Sequence, residues 1–150
     1  MLRNKLIPLI IMASCLGLGA TPGLAQKTMP IEIEARHNNY DGPGDPVGEQ
    51  VVQHLKELIK KSGSLTLTSD QEERLKVIIH TFDPLSQKTH LFTVLSYTFV
   101  YLKKPQLAPV YLTSGIGYAH KNDVPEAAQQ LNASIHKVAQ DLSKTAEKKP

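Results

Sequence analysis

Alternating apolar and polar positions predict three consecutive β-strands in the second half of the chain. The segments 74–82, 90–102 and 109–119 are rich in β-branched and aromatic residues, which suit a pleated, half-buried backbone. The middle segment, HLFTVLSYTFVYL, is the strongest of the three because it contains no glycine, proline, aspartate, glutamate, lysine or arginine. Turn-forming residues at 83–89 and 103–108 separate the segments. The pattern therefore predicts an antiparallel meander.

The period of two in these strands also predicts which residues share a face of the sheet. In the segment 74–82, Leu75, Val77 and Ile79 lie on one side and the even-numbered residues lie on the other. If the turn that follows is centred on Ser86, Leu75 lies opposite Tyr97. Because the odd-numbered set is the more apolar, we expect it to face the helices. A shift of this register by one residue would exchange the two faces.

Two stretches with helical periodicity flank the strands. The first begins at Asp45 and Pro46, because aspartate accepts hydrogen bonds from exposed N–H groups and proline is tolerated in the first turn. The second begins at Asp123, and Glu126 completes the spacing of a capping box. The apolar stripes at helical spacing are Val47, Val51, Val52, Leu55, Leu58 and Ile59 in the first stretch, and Val124, Ala128, Leu131, Ile135, Val138 and Leu142 in the second.

These elements predict an α+β fold, in which a small antiparallel sheet of three to five strands carries two helices on one face. A short strand at 65–68 and a short edge strand at 31–35 complete the sheet. We divide the chain into a signal peptide at 1–25, an extended or loop segment at 26–45, a single domain at 46–143 and a disordered tail at 144–150.

The first 25 residues have the pattern of an export signal. Arg3 and Lys5 precede an apolar run, and the small residues before Gln26 fit cleavage after Ala25. The run is shorter than the ~20 residues that a spanning helix needs, so we expect no transmembrane span in the mature chain. The alternative is lipidation at Cys15, because the residues before it loosely resemble a lipobox. The expected location is the periplasm or the medium, or in the alternative a lipid anchor at the outer membrane.

Processing changes both the charge and the cysteine content. Of 17 basic residues, Arg3 and Lys5 leave with the signal, so 15 basic and 14 acidic residues remain, a net charge of +1. The remaining lysines are dispersed, without the basic stripe that tracks phosphates, so we expect no nucleic-acid binding. If the only cysteine, Cys15, leaves with the signal as well, we expect neither a disulfide nor thiol chemistry.

The even-numbered face of the meander is too apolar to be fully solvated. A contiguous exposed apolar patch usually marks a binding surface, so this face is the candidate binding site for a partner. We expect that partner to be another envelope protein, and a homo-oligomer is an alternative. A competing hypothesis is that the segment around Ile31 and Ile33 folds over this face. The candidate partner-binding residues are Ile78, His80, Phe82, Phe92 and Val94.

Catalytic signatures are weak in this sequence. No serine lies in a nucleophile elbow, and no HExxH or EF-hand spacing is present. We therefore assign no catalytic residue, cofactor or metal. The alternative hypothesis is a small periplasmic enzyme or metal-binding protein that uses His80, Asp83 and His90, which a hairpin between the first two strands could bring together.

The helical segments VGEQVVQHLKELIKKSGSLTL and DVPEAAQQLNASIHKVAQDL, with the strands between them, resemble the N-terminal domain of TolB and related envelope modules. The resemblance covers residues 46–143 and rests on a helix that ends in Ser-Gly before a strand, then a meander, then an Ala-rich helix. It implies a non-catalytic, protein-binding module of the bacterial envelope, and no functional residue carries over from it. The chain is also similar to small exported bacterial proteins that have no assigned activity.

Overall fold

A computed structural model describes residues 28–85, 90–103 and 108–147. The predicted signal peptide with its cleavage site, the alternative lipidation site Cys15 and the predicted turn centre Ser86 lie outside these ranges. The elements follow in the order β1 (Met29–Asn39), β2 (Gly42–Pro43), α1 (Pro46–Lys61), β3 (Leu65–Leu67), β4 (Arg74–Asp83), β5 (Phe92–Leu102), β6 (Val110–His120) and α2 (Val124–Glu147).

The strands form one six-stranded mixed sheet in the order β2-β1-β4-β5-β6, with β3 also paired to β1. The β4–β5–β6 meander is antiparallel, as predicted, but β1 runs parallel to β4 and to β3. The α+β prediction is confirmed, whereas the prediction of a purely antiparallel sheet of three to five strands is wrong. The helix α1 makes the parallel pairing possible, because it carries the chain back to the end of the sheet where β1 began.

The N-terminal strand is longer and more central than the sequence predicted. It spans eleven residues, and Ile31 pairs with both Leu67 and Leu75, so β3 and β4 lie on opposite edges of β1. Ile31 is fully buried with the helix-facing core. The segment is therefore a strand within the sheet, and the hypothesis that it folds over the other face is wrong.

The predicted register between β4 and β5 is also wrong, although the predicted faces are correct. Leu75, Val77 and Ile79 lie opposite Tyr101, Phe99 and Tyr97, respectively. Each partner lies four positions beyond the predicted one, because the pairing is centred two residues further along the chain than position 86. Since four is an even number, every side chain stays on its predicted face.

Both helices pack on the odd-numbered face of the meander. The cap of α1 is the predicted Asp45, whose Oδ1 accepts a hydrogen bond of 2.9 Å from the backbone N–H of Gly48. Helix α2 continues to Glu147, so the predicted tail from residue 144 is helical that far. The fully buried side chains of the core include Phe99, Leu55, Leu75 and Ile135, and a side chain of this size contributes about 1.5–3 kcal/mol by its burial.

Candidate binding surface

Neither of the two described helices packs against one face of the sheet. Because α1 and α2 both cover the odd-numbered face, the even-numbered residues of β1, β4 and β5 point to the other side, which we call the open face, together with Ser114, Ile116 and Tyr118 of β6. The irregularity opposite Phe99 and Val100 ends this alternation in β6, and Leu112 packs against the core. Cross-strand pairing aligns these residues in rows. One row runs from Arg36 through His80 and Ser96 to Ile116. The composition of the rows changes from charged on β1 to apolar on β6.

One end of the β1–β4 half of the open face carries a network of ion pairs. Lys76 Nζ lies 2.9 Å from Glu32 Oε1 and 2.8 Å from Glu34 Oε2, and Arg74 also donates to Glu32. Burial raises the pKa of Glu32, but hydrogen bonds from Lys76 and Arg74 outweigh it and leave this pKa below the ordinary 4.5. Hydrogen bonds with Lys76 lower the pKa of Glu34, and the bonds to Glu34 and Glu32 raise the pKa of Lys76. These groups are therefore ionised at neutral pH.

The β5–β6 half of the open face contains a cluster of exposed apolar side chains. We define the apolar patch as Phe92, Val94, Ile116 and Tyr118. Ile116 is 80% exposed and Tyr118 is 75% exposed, and Val94, directly opposite Tyr118, is 36% exposed. The rings of Phe92 and Tyr118 lie 5.9 Å apart, centroid to centroid. Two aromatic and two β-branched side chains thus form one contiguous surface next to the sheet edge.

The structure places all five candidate residues on the open face, but they differ in their exposure to solvent. Phe92 and Val94 belong to the apolar patch. His80 is exposed in the row that contains Ile116, whereas Ile78 is half-buried. Phe82 is also half-buried, because the ring of Tyr40 packs edge-on against it at 5.0 Å. Their role in binding a partner stays a prediction.

The sequence prediction missed Ile116 and Tyr118, which are the most exposed members of the patch. The sequence does contain a pattern that indicates their exposure. Along β6, Gly115 and Gly117 alternate with Ile116 and Tyr118, after Ser114. Once the glycines are assigned to the helix side, the intervening apolar residues must point to the open face. The sequence pattern alone does not indicate that β6 lies at the edge of the sheet.

The two edges of the sheet differ in how they are protected. The outer edge of β1 is paired with the short strands β3 and β2 at its two ends, and Glu32, Glu34 and Arg36 lie between them. The β6 edge, VYLTSGIGYAH, contains no charged residue and no proline. No described strand pairs with its outer side. Edge strands are normally protected by charges, prolines or cover against pairing with another chain, and β6 carries neither a charge nor a proline.

An open groove runs on the helix side of β6, between this strand and α2. It consists of two cavities of about 490 and 530 Å³ that share Tyr97 and Ser134 in their linings. The ring of Tyr97 lies over Gly115, and a Cβ at Gly115 would come within 2.4 Å of the Tyr97 hydroxyl. Glycine at this position therefore lets the tyrosine ring cover the backbone of the edge strand.

The structure separates the three residues of the alternative catalytic or metal site. His90 Nδ1 lies 2.9 Å from Asp83 Oδ2, and the Asp83 side chain is fully buried on the helix side. His80 points to the open face, because it lies three positions before Asp83 on the same strand. Among the residues described in the structure, no group of three or more His, Cys, Asp or Glu side chains could hold a metal ion. The geometry thus supplies a histidine–carboxylate pair and not the predicted trio.

A buried polar cluster joins the first turn of α1 to the sheet. Asp45 accepts a hydrogen bond from the Thr93 hydroxyl through Oδ2, in addition to the bond from Gly48. Thr81 Oγ1 lies 2.9 Å from His37 Nδ1. The side chains of Asp45, Thr81 and Thr93 are almost completely buried. Because these bonds hold the start of α1 against β5 and link β4 to β1, we interpret the cluster as structural.

Comparison with known proteins does not assign the chain to a family. No family model matches it, and no curated protein is significantly similar to it. Solved structures with some similarity include a minor lipoprotein from Acinetobacter baumannii, with 14% sequence identity and a TM-score of 0.37 over 71% of this chain and 91% of that one. Another is a Xanthomonas campestris protein of the family DUF330, with 9% identity and a TM-score of 0.43 over 83% of this chain and 93% of that one.

Both TM-scores are below 0.5, so we draw no conclusion about function from these similarities. The resemblance to the N-terminal domain of TolB stays a prediction from the sequence. Within the described ranges, neither helix combines the length and the apolar character needed to cross a bilayer.

Proposed function

We propose that the chain is an exported protein of the bacterial envelope that binds another envelope protein, without catalysis, through the apolar patch on its open face. The supporting observation is the exposure of this patch. Ile116 and Tyr118 expose three quarters or more of their accessible area and adjoin Val94 and Phe92. Contiguous apolar surface of this kind on a folded domain marks an interaction site more often than a solvated face.

The chemistry of the patch favours a folded protein as the ligand. Aromatic residues are enriched in the centres of protein interfaces, where they contribute large contact areas at a low cost in side-chain entropy. Polar residues adjoin the patch on the β4 side, because exposed Ser96 lies opposite Ile116 and exposed His80 lies opposite Ser96. An apolar centre beside polar residues is the usual arrangement of a protein–protein interface. The location in the envelope rests on the export signal predicted from residues 1–25.

Affinity capture with charge substitutions tests the proposal. The processed protein, purified from the producing bacterium, is immobilised and exposed to envelope extract, and the retained proteins are compared among three forms. Wild type and Arg36→Asp retain a specific partner, and Val94→Asp loses it. Arg36 is the matched control, because it is exposed on the same face but lies on β1, two strands away from Val94.

A carboxylate at the centre of an apolar contact lowers affinity at least about tenfold, which corresponds to ~1.4 kcal/mol. The affinity of the partner identified with wild type is then measured for each variant, and circular dichroism establishes that all three forms are folded. Equal affinity of Val94→Asp and wild type for that partner would refute the role of the patch.

A further inference from the structure

We infer that the β6 edge binds an extended segment of another protein, which pairs with β6 as an additional strand and carries a lysine or arginine on the side that faces α2. This inference goes beyond the proposed function and does not rest on it. The segment contacts the edge of the sheet and the groove beside α2, whereas the proposed partner contacts the open face. In this mode of recognition, main-chain hydrogen bonds supply affinity and the side chains at alternate positions supply specificity.

The first observation concerns the backbone of the edge. Strand β6 is eleven residues long, and no described strand pairs with its outer side. Its ladder with β5 is regular from Thr113 to His120, so the outward N–H and C=O groups of this stretch form one continuous row. Such a row is a template for another strand, and β6 carries neither a charge nor a proline that would oppose one. The opposite edge differs, because β2 and β3 pair with the two ends of β1.

The second observation is the groove on the helix side of this edge. Among the described strands, α2 packs chiefly against β6. Because Gly115 and Gly117 have no side chains, β6 presents only backbone to the groove between Thr113 and Ala119. Glycine in the interior of a strand often marks a site where another backbone approaches closely. The two cavities of about 490 and 530 Å³ beside these glycines therefore leave room for the helix-side residues of an added strand.

The charge at one end of the groove determines the chemistry of the ligand. Asp123, immediately before α2, and Glu126, in its first turn, both line the groove and are exposed. Glu126 accepts a hydrogen bond of 3.4 Å from Gln130, and within the described ranges neither carboxylate forms an ion pair. The Nδ1 atom of His120 at the same end accepts from the backbone N–H of Asn122, so this ring is not a cation in the structure. A lysine or arginine that points towards α2 at this end therefore meets two carboxylates.

The nearby cations of the chain do not neutralise this acidic end. Lys137 also lines the groove, but it lies about 16 Å further along α2 than Glu126, at a rise of ~1.5 Å per residue. Asp141 lines the groove one turn after Lys137, so these two charges offset each other at the other end. Lys121, in the turn before α2, is exposed and does not line the groove. The lining as a whole contains three carboxylates and one ammonium group, which favours a cationic segment.

The residues that the added strand directs to the open face have a different chemistry. They lie beside Ile116 and Tyr118, which are 80% and 75% exposed in the free protein. Pairs of β-branched and aromatic residues on one face of adjacent strands are favourable. The segment therefore alternates β-branched or aromatic residues on the open face with polar and basic residues on the side of α2.

Heteronuclear NMR titration of the processed protein with the synthetic peptide acetyl-KVTVTVK-amide tests this inference. The peptide alternates valine with polar residues, and a lysine at each end allows either strand direction. Addition of the peptide shifts the amide signals of β6 and of the first turn of α2. The peptide acetyl-EVTVTVE-amide binds roughly tenfold more weakly at low ionic strength, because its charges repel Asp123 and Glu126. Of two N-methylated forms, one at the valines and one at the threonines, only the form whose N–H groups towards β6 remain intact binds.

A charge reversal in the protein supplies the matched test. Glu126→Lys reverses the preference, so that the glutamate peptide binds more tightly than the lysine peptide. Glu57→Lys is the control on α1, because Glu57 is also exposed and accepts a hydrogen bond from a glutamine one turn away. It leaves both affinities unchanged, and circular dichroism establishes that each variant is folded.

Three outcomes would overturn the inference. They are unshifted β6 amides with either peptide, equal affinity of wild type for the lysine and glutamate peptides, and binding of both N-methylated forms. The experiment uses no envelope extract, so its result is separate from the capture experiment that tests the open face.

Discussion

The hydrogen bond between Thr93 and Asp45 gives the sharpest prediction about stability. Both side chains are completely buried, and Asp45 Oδ2 accepts from the Thr93 hydroxyl while Oδ1 accepts from the N–H of Gly48. Thr93→Val keeps the shape of the side chain but removes the donor. One oxygen of a buried carboxylate then loses its partner, and water cannot reach it without opening the core.

The expected loss is about 3 kcal/mol, at the upper end of the range for a buried polar group left unpaired, because the acceptor is a carboxylate. For a chain of this size, that loss lowers Tm by roughly 12 °C. With a slope of ~2 kcal/mol per M, it also lowers the urea midpoint by about 1.5 M. Circular dichroism measures both quantities. The control is Thr113→Val, the same substitution at an exposed position of β6, which is expected to change stability by less than ~0.5 kcal/mol.

A double-mutant cycle isolates the charge in this interaction. In an Asp45→Asn background, the acceptor is a neutral amide, so Thr93→Val is expected to lose only about 1 kcal/mol. The coupling between the two positions is then roughly 2 kcal/mol. If Thr93→Val loses less than ~1 kcal/mol in the wild-type background, the carboxylate is not held by this hydroxyl, and our account of the first turn of α1 is wrong.

Two further predictions concern close packing and pH. Gly48→Ala is expected to destabilise the fold by about 2 kcal/mol in urea unfolding, because its Cβ would lie 2.2 Å from Thr81 Oγ1. The control Gly63→Ala meets open space and should be nearly neutral. Equal effects of the two substitutions would contradict this packing. The pKa of Glu32 is lowered in the folded state, so its stabilisation is present above pH 4.5 and is lost as the pH falls through the folded pKa. The free energy of unfolding, measured from pH 6 down to about pH 2, should therefore fall less steeply in Glu32→Gln than in wild type. Parallel curves for the two proteins would show that the network with Lys76 does not stabilise the fold.

The local sequence pattern was sufficient to predict the two helices, the three strands of the meander and the face to which their side chains point. Asp45 and Asp123 carry the chemistry of helix starts, and the helices begin immediately after them. The alternation in β4 and β5 placed Leu75 and Phe99 towards the helices and Phe92 and Val94 away from them. These properties follow from residues within a few positions of one another, whose side-chain directions are set by the helix or strand period alone.

The tertiary structure decided the strand neighbours, the register and the edges. Ile31 lies beside Leu75 although 44 positions separate them in sequence, and no local pattern specifies such a partner. Because β1 pairs with β4, the additional strands lie on the β4 side of the meander, and β6 is an outer strand of the sheet. The same eleven residues would be an ordinary buried strand if another strand covered them. The exposure of Ile116 and Tyr118, and with it the candidate binding surface, therefore follows from the order of the strands, which depends on long-range packing of the whole chain.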